Sequence, residues 1–229
     1  MSKPRKSKKP QSKAVLHLLD QMRRKRETRE TAKRYLIVCE DNKSAPNYFE
    51  ALKSFLNLSA TSIRVVPSGG DSQPIQVVNK AIHIKGLSEA PESGTEPFEK
   101  AWCVIDGDFG KKVKEARKVA KSSHGIEIAV STMCFEFWVL LHGREINTPT
   151  TCCDDTLKIL KDKYIPNYSK GDFDFGEVVP NYQTACQRAK KLRKPGIARG
   201  ELAEDQNPCS EIYLIIEEIC DGISVNKTN

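Results

Sequence analysis

The sequence lacks the segments and motifs by which several classes of protein are recognised. No apolar run approaches the roughly 20 residues that cross a bilayer, and Met1-Ser-Lys-Pro-Arg5 lacks the apolar segment of a signal peptide. There is no Gly-x-x-x-x-Gly-Lys-Ser/Thr loop, so any use of ATP must come from another protein. No internal repeat is present. We therefore expect a cytoplasmic protein without a membrane span.

The cysteines also lack the spacing of a zinc site or a disulfide framework. None of the 8 cysteines forms a Cys-x-x-Cys pair, and Cys39 and Cys103 lie inside apolar runs. We expect small buried hydrophobic residues in a reducing compartment. For Cys152 and Cys153 a reactive thiol is the alternative, but we expect a position at a helix start with no partner.

The positive charge belongs to one end of the chain. The formal net charge is +7, but residues 1–34 carry thirteen Lys/Arg against three Asp/Glu, and the remaining 195 residues sum to −3. Such an arm commonly follows nucleic-acid phosphates. The alternative is a solvated, solubilising tail. Because residues 1–13 are rich in Lys, Pro and Ser, we expect a largely disordered or partly helical arm.

From residue 34 onward, apolar strands alternate with amphipathic helices. This β-α-β-α-β-α-β order predicts an α/β fold, with a parallel sheet of about four strands and helices on both faces. The later residues predict mostly helices, among them Asn181–Arg193, ended by Lys194-Pro-Gly196, and Cys209–Cys220. The predicted organisation is an arm, an α/β core and a helical extension packed on it: residues 1–33, 34–142 and 143–229.

Three acidic residues follow predicted strands. The apolar run Ala101–Ile105 leads into Asp106 and Asp108, and Gly107 between them allows the chain to turn. Glu40 follows the first strand. Since strands one and three are commonly neighbours in such sheets, their carboxyl ends should converge, and clustered carboxylates suit Mg²⁺ or Mn²⁺. The alternatives are a surface acid at Glu40 and a helix cap at Asp108.

Two other features could contact phosphate. Gly69 and Gly70 precede a helix that starts near Pro74, so their backbone N–H groups could hold a phosphate, or they could form a plain turn. The basic helix 111–122 begins with Lys111 and Lys112, whose charges could also contact phosphate.

Ser44 is a helix-start signal. We expect it as the N-cap of a helix with Pro46 in the first turn.

Three blocks of the sequence resemble the RloB-like family. They are Leu36–Phe49 (LIVCEDNKSAPNYF), Ala101–Asp108 (AWCVIDGD) and Ala129–His142 (AVSTMCFEFWVLLH), and Asn207–Ile212 resembles the family's C-terminal block. The third block usually begins Ser-Asn-Pro and here reads Ser131-Thr132-Met133. The resemblance covers roughly residues 34–220.

This resemblance implies a Toprim-superfamily fold and an association with anti-phage abortive infection. It implies Glu40 as a metal ligand or general base and Asp106 and Asp108 as a metal-binding pair for Mg²⁺ or Mn²⁺. It also implies a catalytic cation at Lys43 and a metal or cleft residue at Glu136, which could equally cap or buttress its helix. His142 matches the family pattern too, and we expect a structural histidine rather than an acid or base.

The leading hypothesis is therefore a metal-dependent nuclease acting on DNA or RNA, tRNA included. The resemblance further implies an AAA-type ATPase as a partner that gates the nuclease. One alternative is a Toprim-like module that binds nucleic acid or a partner without cutting it. The other is a phosphatase in which the first Asp of the Asp-x-Asp strand attacks phosphorus.

Overall fold

A computed structural model of the protein describes residues 33–227 with gaps at 60–61 and 71–72, so the predicted basic arm lies outside the described residues apart from Lys33. The strands are β1 (Tyr35–Cys39), β2 (Ile63–Pro67), β3 (Lys100–Asp106) and β4 (Ile126–Ser131). The α-helices are α1 (Ser44–Phe55), α2 (Pro74–Glu89), α3 (Gly110–Ser122), α4 (Phe135–Gly143), α5 (Cys153–Lys163), α6 (Tyr182–Ala198) and α7 (Ile212–Lys227).

The strands form one parallel sheet in the order β2-β1-β3-β4. The central strands β1 and β3 are almost entirely buried, as their apolar sequences require of strands covered on both faces. The register pairs Cys39 with Val104, and Asp106 with Ser131. The predicted α/β fold with a four-strand parallel sheet is confirmed.

Alternate side chains of each strand enter different hydrophobic clusters, because successive side chains point to opposite faces. Leu36 and Val38 pack with residues of α2 and α3 on one face. Tyr35 and Ile37 pack on the other face with residues of α1, α4, α6 and α7. Helices therefore cover both faces. The cluster that contains Tyr35 and Ile37 includes residues on both sides of position 142, the predicted boundary between the core and the helical extension. Among the described residues, no helix is long and apolar enough to cross a membrane.

Helix α4 lies entirely within this packing. Every residue from Phe135 to His142 is buried, which explains why the segment has almost no polar face. Its position fixes the residues at its N-terminus, which face the end of β3.

Several predicted helix boundaries were wrong because tertiary contacts override local signals. Helix α6 continues through Pro195 to Ala198, and its last turns are anchored by Arg193, which donates to Gln206 Oε1 at 3.0 Å. Helix α7 starts only at Ile212, because Ser210 forms a β-bridge with Ser131. Ser44 is the first residue of α1 rather than its N-cap, a position that Lys43 takes.

Candidate active site

The parallel pairing of β1 with β3 brings Glu40 and Asp106 together at the carboxyl edge of the sheet. The Glu40 N–H donates to Val104 O at 2.9 Å, continuing the β1–β3 ladder by one residue. The Glu40 side chain then turns toward β3, where its Oε2 accepts the Asp106 N–H at 2.9 Å. Glu40 is only 6% exposed. The convergence expected from the sequence is present in the structure.

Asp106 is held from a second direction by α4. Its Oδ1 accepts the N–H of Phe135, the first residue of α4, at 3.0 Å. A carboxylate at a helix N-terminus is stabilised by the unpaired N–H groups there. Asp106 therefore joins the end of β3 to the start of α4.

Asp108 lies two residues further on, in the 3-10 turn Gly107–Phe109 that leads into α3. The side chain of Asp108 is exposed. Gly107 is required here for close approach, because a Cβ at that position would lie 2.6 Å from Thr132 Cγ2. The sequence predicted a glycine that lets the chain turn, whereas the structure shows a glycine that lets it pass against β4.

Asp41 is a fourth acid at this edge that the sequence prediction did not single out. Its carboxylate accepts the N–H groups of Lys43 at 2.7 Å and of Ala45 at 3.0 Å, which is the capping role predicted for Ser44. The signal for it was an Asp three residues before a helix start. The Ser44 hydroxyl is thereby available to Glu136, to which it donates at 2.9 Å.

The acids at this edge disfavour one another's charge. The pKa of Glu40 is raised to about 7, mainly by burial. The hydrogen bond from the Asp106 N–H opposes this rise, and the charges of Asp108 and Asp41 add to it. Burial raises the pKa of Asp106 well above its usual range, with Glu40, Glu136 and Asp41 adding to the rise. Burial also raises the pKa values of Asp41 and Asp108.

This electrostatic pattern fits a bound divalent cation. Carboxylates crowded in a partly buried place repel one another unless a positive charge is among them, and oxygen-only donors match Mg²⁺ or Mn²⁺. The carboxylate oxygens of Glu40, Asp106 and Asp108 do not all lie within 4.8 Å of one another. Among the described residues, potential metal-binding atoms come that close in Cys134, Glu136 and Cys153. Mg²⁺ commonly keeps several waters, which allows a wider spacing.

Glu136 lies behind the acidic edge with its oxygens engaged by side chains. It is 1% exposed. Its Oε1 accepts from Ser44 Oγ and from Tyr168 OH at 3.1 Å, and its Oε2 pairs with Lys170 Nζ at 3.1 Å. These contacts tie α1, α4 and the segment 164–174 together.

Lys170 is a functional candidate that the sequence prediction missed. Its ammonium lies beside Glu136 and lowers the pKa values of Asp41, Asp106 and Asp108, opposing the rise that burial causes. The only local signal was a lysine next to Gly171. That glycine has φ +93°, and a Cβ on it would lie 2.5 Å from Lys43 Cδ. The segment therefore folds closely over Lys43.

The other predicted site residues surround this edge. Lys43 is exposed and is the N-cap of α1. Lys111 and Lys112 are exposed in the first turn of α3, three and four residues after Asp108. The Gly69 N–H donates to Asn42 Oδ1 at 3.1 Å, so this N–H has a protein partner. Gly70 is exposed, with φ +102°.

His142 is a structural histidine, as expected. It is 2% exposed, one ring nitrogen lies 3.1 Å from Tyr48 OH, and the other lies 3.0 Å from Trp138 O. Burial lowers its pKa to about 4. It supports the packing of α1 against α4.

The prediction that no cysteine has a disulfide partner was wrong for two of them. Cys134, the residue before α4, and Cys153, the first residue of α5, form a disulfide with Cα atoms 5.5 Å apart. Position 153 lies at a helix start, as expected, but the loop after α4 returns it to Cys134. The sequence separation of 19 residues gave no signal of this contact. The other six cysteines are not disulfide-bonded.

The fold and the site define an α/β protein with a cluster of partly buried carboxylates at the carboxyl edge of a parallel sheet. A sequence model of the family described as RloB-like protein matches residues 35–219. The chain belongs to the RloB-like family, as the motifs indicated. Comparison with curated proteins and with solved structures gave no match.

Proposed function

We propose that this protein is a metal-dependent nuclease of the Toprim type that hydrolyses phosphodiester bonds in DNA or RNA, with tRNA among the candidate substrates. The observation that carries the proposal is the contact between Glu40 and Asp106, which places two carboxylates of raised pKa at one sheet edge. Such an edge is where open α/β sheets bind ligands. Family membership supports a role in prokaryotic anti-phage abortive infection, in the cytoplasm, with an AAA-type ATPase as the gating partner.

Glu40, Asp106 and Asp108 would hold Mg²⁺ or Mn²⁺. A divalent cation bound there would polarise a phosphoryl oxygen and lower the pKa of a water molecule. Glu40 Oε2 is held by the Asp106 N–H, so Oε1 would be the oxygen that binds a ligand or accepts a proton. The Phe135 N–H orients Asp106 by fixing Oδ1. We assign Glu136 to support, since Ser44, Tyr168 and Lys170 already engage it, and a ligand role there would need Lys170 to move.

Cations beside the acids would bind the phosphate. The side chain of Lys170 is 45% exposed while its ammonium pairs with buried Glu136, so it could contact a substrate without leaving Glu136. Lys43 packs beside Gly171 and brings a second cation. Lys111 and Lys112 lie three and four residues after Asp108 and could contact the adjoining backbone phosphates. Gly70 remains a further candidate contact.

The nuclease proposal is tested by incubating the protein with plasmid, single-stranded DNA and tRNA in Mg²⁺ or Mn²⁺. We expect cleavage that Glu40→Gln and Asp106→Ala reduce by at least about 10³-fold, since both remove a ligand of the reacting centre. Glu127→Gln on β4, an exposed position, is the matched control and should cleave like the wild type. The assay is repeated with the AAA-type partner and ATP.

The same assay separates the alternatives. Binding without cleavage under every metal, with and without the partner, would contradict the nuclease and support a binding module. A covalent aspartyl-phosphate formed with a small phosphomonoester would support the phosphatase.

The basic arm is tested by its charge. Replacing Arg23, Arg24, Lys25 and Arg26 by Gln removes four positive charges, and we expect weaker nucleic-acid binding with a salt slope smaller by up to about 3–4. A control variant with Arg23, Arg24 and Arg26 changed to Lys keeps the charge and should keep the slope. Fluorescence anisotropy across a series of salt concentrations measures both, and an unchanged slope in the Gln variant would show a tail that does not contact phosphate.

A further inference from the structure

The disulfide between Cys134 and Cys153 lies at a junction of the site. Cys134 is 1% exposed and immediately precedes α4, whereas Cys153 is partly exposed and begins α5. The bond therefore fixes the two helix starts to each other. Cys153 is the member that a reagent in solution can reach.

Charged groups lie beside Cys153, the more exposed member of the pair. Cys153 Sγ lies 3.6 Å from Lys170 Nζ and 3.8 Å from Glu136 Oε2. Partly exposed cysteines beside a cation are typical of reactive thiols, whereas structural disulfides are commonly enclosed in apolar packing. Cys152, the neighbouring residue, is exposed and free.

A metal site made of the same residues is the competing interpretation. The sulfurs of Cys134 and Cys153 and a Glu136 oxygen lie within 4.8 Å of one another. However, the two sulfurs are bonded to each other, and the Lys170 ammonium already neutralises Glu136 at 3.1 Å. A second cation would have to displace the first, so the geometry favours sulfur redox chemistry.

The pair is connected to the acidic edge through one residue. Phe135, directly after Cys134, donates its N–H to Asp106 Oδ1 at 3.0 Å. Glu136, the next residue, pairs with Lys170, the cation that offsets the charge of Asp106. A change in the freedom of Cys134 therefore acts on the position of Asp106 and on the partners of Lys170.

We propose that Cys134 and Cys153 are a reversible dithiol–disulfide pair, oxidised by small disulfides such as oxidised glutathione, whose disulfide state fixes the N-terminus of α4 against Asp106. The redox pair stands independently of the nuclease, and only its effect on cleavage rests on the proposed function.

The exchange takes place in two steps that balance. The Cys153 sulfur, having lost its proton, attacks one sulfur of the small disulfide, forms a mixed disulfide and expels a small thiolate that takes up the proton. The Cys134 sulfur, likewise deprotonated, then attacks Cys153 Sγ, closes the protein disulfide and releases the second small thiol with its proton. Two protein thiols are oxidised and one small disulfide is reduced to two thiols.

The first experiment maps the thiols of the full-length protein in glutathione buffers of graded ratio, by alkylation and peptide mass spectrometry. We expect all eight cysteines to alkylate in reduced buffer and six in oxidised buffer, with Cys134 and Cys153 linked to each other. The change should reverse on returning to reduced buffer. Cys152→Ser is the matched control and should cycle normally, whereas Cys153→Ser should lose the transition. Eight free thiols in every buffer, or a bond formed by Cys152, would overturn the proposal.

The second experiment measures the melting temperature in the two states. Because the bond closes a loop of 19 residues, we expect reduction to lower the melting temperature of the wild type and of Cys152→Ser by roughly 5–10 °C. The melting temperature of Cys153→Ser should not respond to the buffer. Equal melting temperatures of oxidised and reduced wild type would contradict a fixing role for the bond.

Metal analysis and cleavage complete the test. Zinc retained by the reduced protein after dialysis, and lost in Cys153→Ser, would overturn the proposal in favour of a metal site. If the nuclease is active, we expect cleavage by the oxidised form to exceed that of the reduced form by about 3-fold or more, because Asp106 is then held. If the thiols cycle but neither state cleaves nucleic acid, the redox proposal is supported and only the nuclease proposal is contradicted.

Discussion

Gly107 shows how a single residue sets the geometry of the acidic edge. A Cβ at this position would lie 2.6 Å from Thr132 Cγ2 and 3.1 Å from Thr132 Cα, so Gly107→Ala must push β3 and β4 apart at the site. We expect Gly107→Ala to lower the free energy of unfolding by about 1–3 kcal/mol, the usual cost of overpacking. Denaturant unfolding measures it.

Gly86 is the matched control for this substitution. It lies inside α2, where nothing is within 4 Å of an added Cβ, so Gly86→Ala should raise the free energy of unfolding by about 0.5–1 kcal/mol through helix propensity. A stable Gly107→Ala protein that keeps the wild-type midpoint would show that the strand ends adjust freely, contrary to the packing described.

The buried imidazole of His142 makes the stability of the fold depend on pH. Its pKa in the folded protein is about 4, below the ordinary 6.5, so the unfolded chain takes up the proton at a higher pH. The contribution of the neutral buried ring is complete above pH 6.5 and is lost as the pH falls toward 4. Between pH 7.5 and 5 we expect this one group to account for a loss of about 2 kcal/mol in the free energy of unfolding.

The measurement compares denaturant unfolding of the wild type and His142→Gln at both pH values. The carboxylates contribute equally to both proteins, so the difference between the two isolates the histidine. The variant with Gln at the exposed His83 is the control and should follow the wild type. Equal pH dependence in wild type and His142→Gln would contradict a neutral buried ring.

Among the secondary-structure elements, the sequence predicted the strands and most helices because each has a strong local pattern. The wholly apolar β1 and β3 and the amphipathic α3 are examples, and adjacent parallel strands were enough to bring Glu40 near Asp106. The contacts it missed are long-range. Lys170 reaches Glu136 across 34 positions and Cys153 reaches Cys134 across 19, and neither contact has a periodic signal.

One ion-pair group holds α3 to the segment before α7. Arg117 donates to both oxygens of Glu204, at 3.2 and 2.8 Å, and to Glu211 Oε2 at 3.1 Å. The Glu204 side chain is 0% exposed. Removing the cation with Arg117→Met leaves buried Glu204 without its ionic partner, and we expect a loss of about 3–5 kcal/mol in the free energy of unfolding.

Two variants check this interpretation by chemical denaturation. Arg117→Met combined with Glu204→Gln removes the uncompensated charge as well and should recover a substantial part of the loss. Arg199→Met breaks an exposed pair with Glu201 and should leave stability unchanged within error. If Arg117→Met and Arg199→Met have the same free energy of unfolding, the buried ion-pair group does not stabilise the fold.

The acidic edge makes the stability of the whole metal-free protein depend on pH. Burial and neighbouring acids raise the pKa of Glu40 to about 7, so the folded protein holds this proton more tightly than the unfolded chain does. The contribution of protonated Glu40 to the free energy of unfolding is therefore fully present below about pH 4.5 and is lost as the pH rises through 7. Without a metal, we expect Glu40→Gln to be more stable than the wild type at pH 8, by about 2 kcal/mol, and to show a flatter pH dependence between 5 and 8.

A bound cation should reverse that order. Mn²⁺ or Mg²⁺ that binds the folded protein alone raises its stability by RT ln(1 + [L]/Kd), about 2.7 kcal/mol at a hundred times the dissociation constant. We expect metal to raise the melting temperature of the wild type and of the exposed-site control Glu127→Gln, and to leave that of Glu40→Gln nearly unchanged. Thermal melts at pH 8 with EDTA and with graded Mn²⁺ measure this independently of any cleavage. If the metal raises the melting temperatures of wild type and Glu40→Gln equally, Glu40 is not a ligand of the proposed cation site. The cost in stability of burying its carboxylate at the edge would then have no compensating metal.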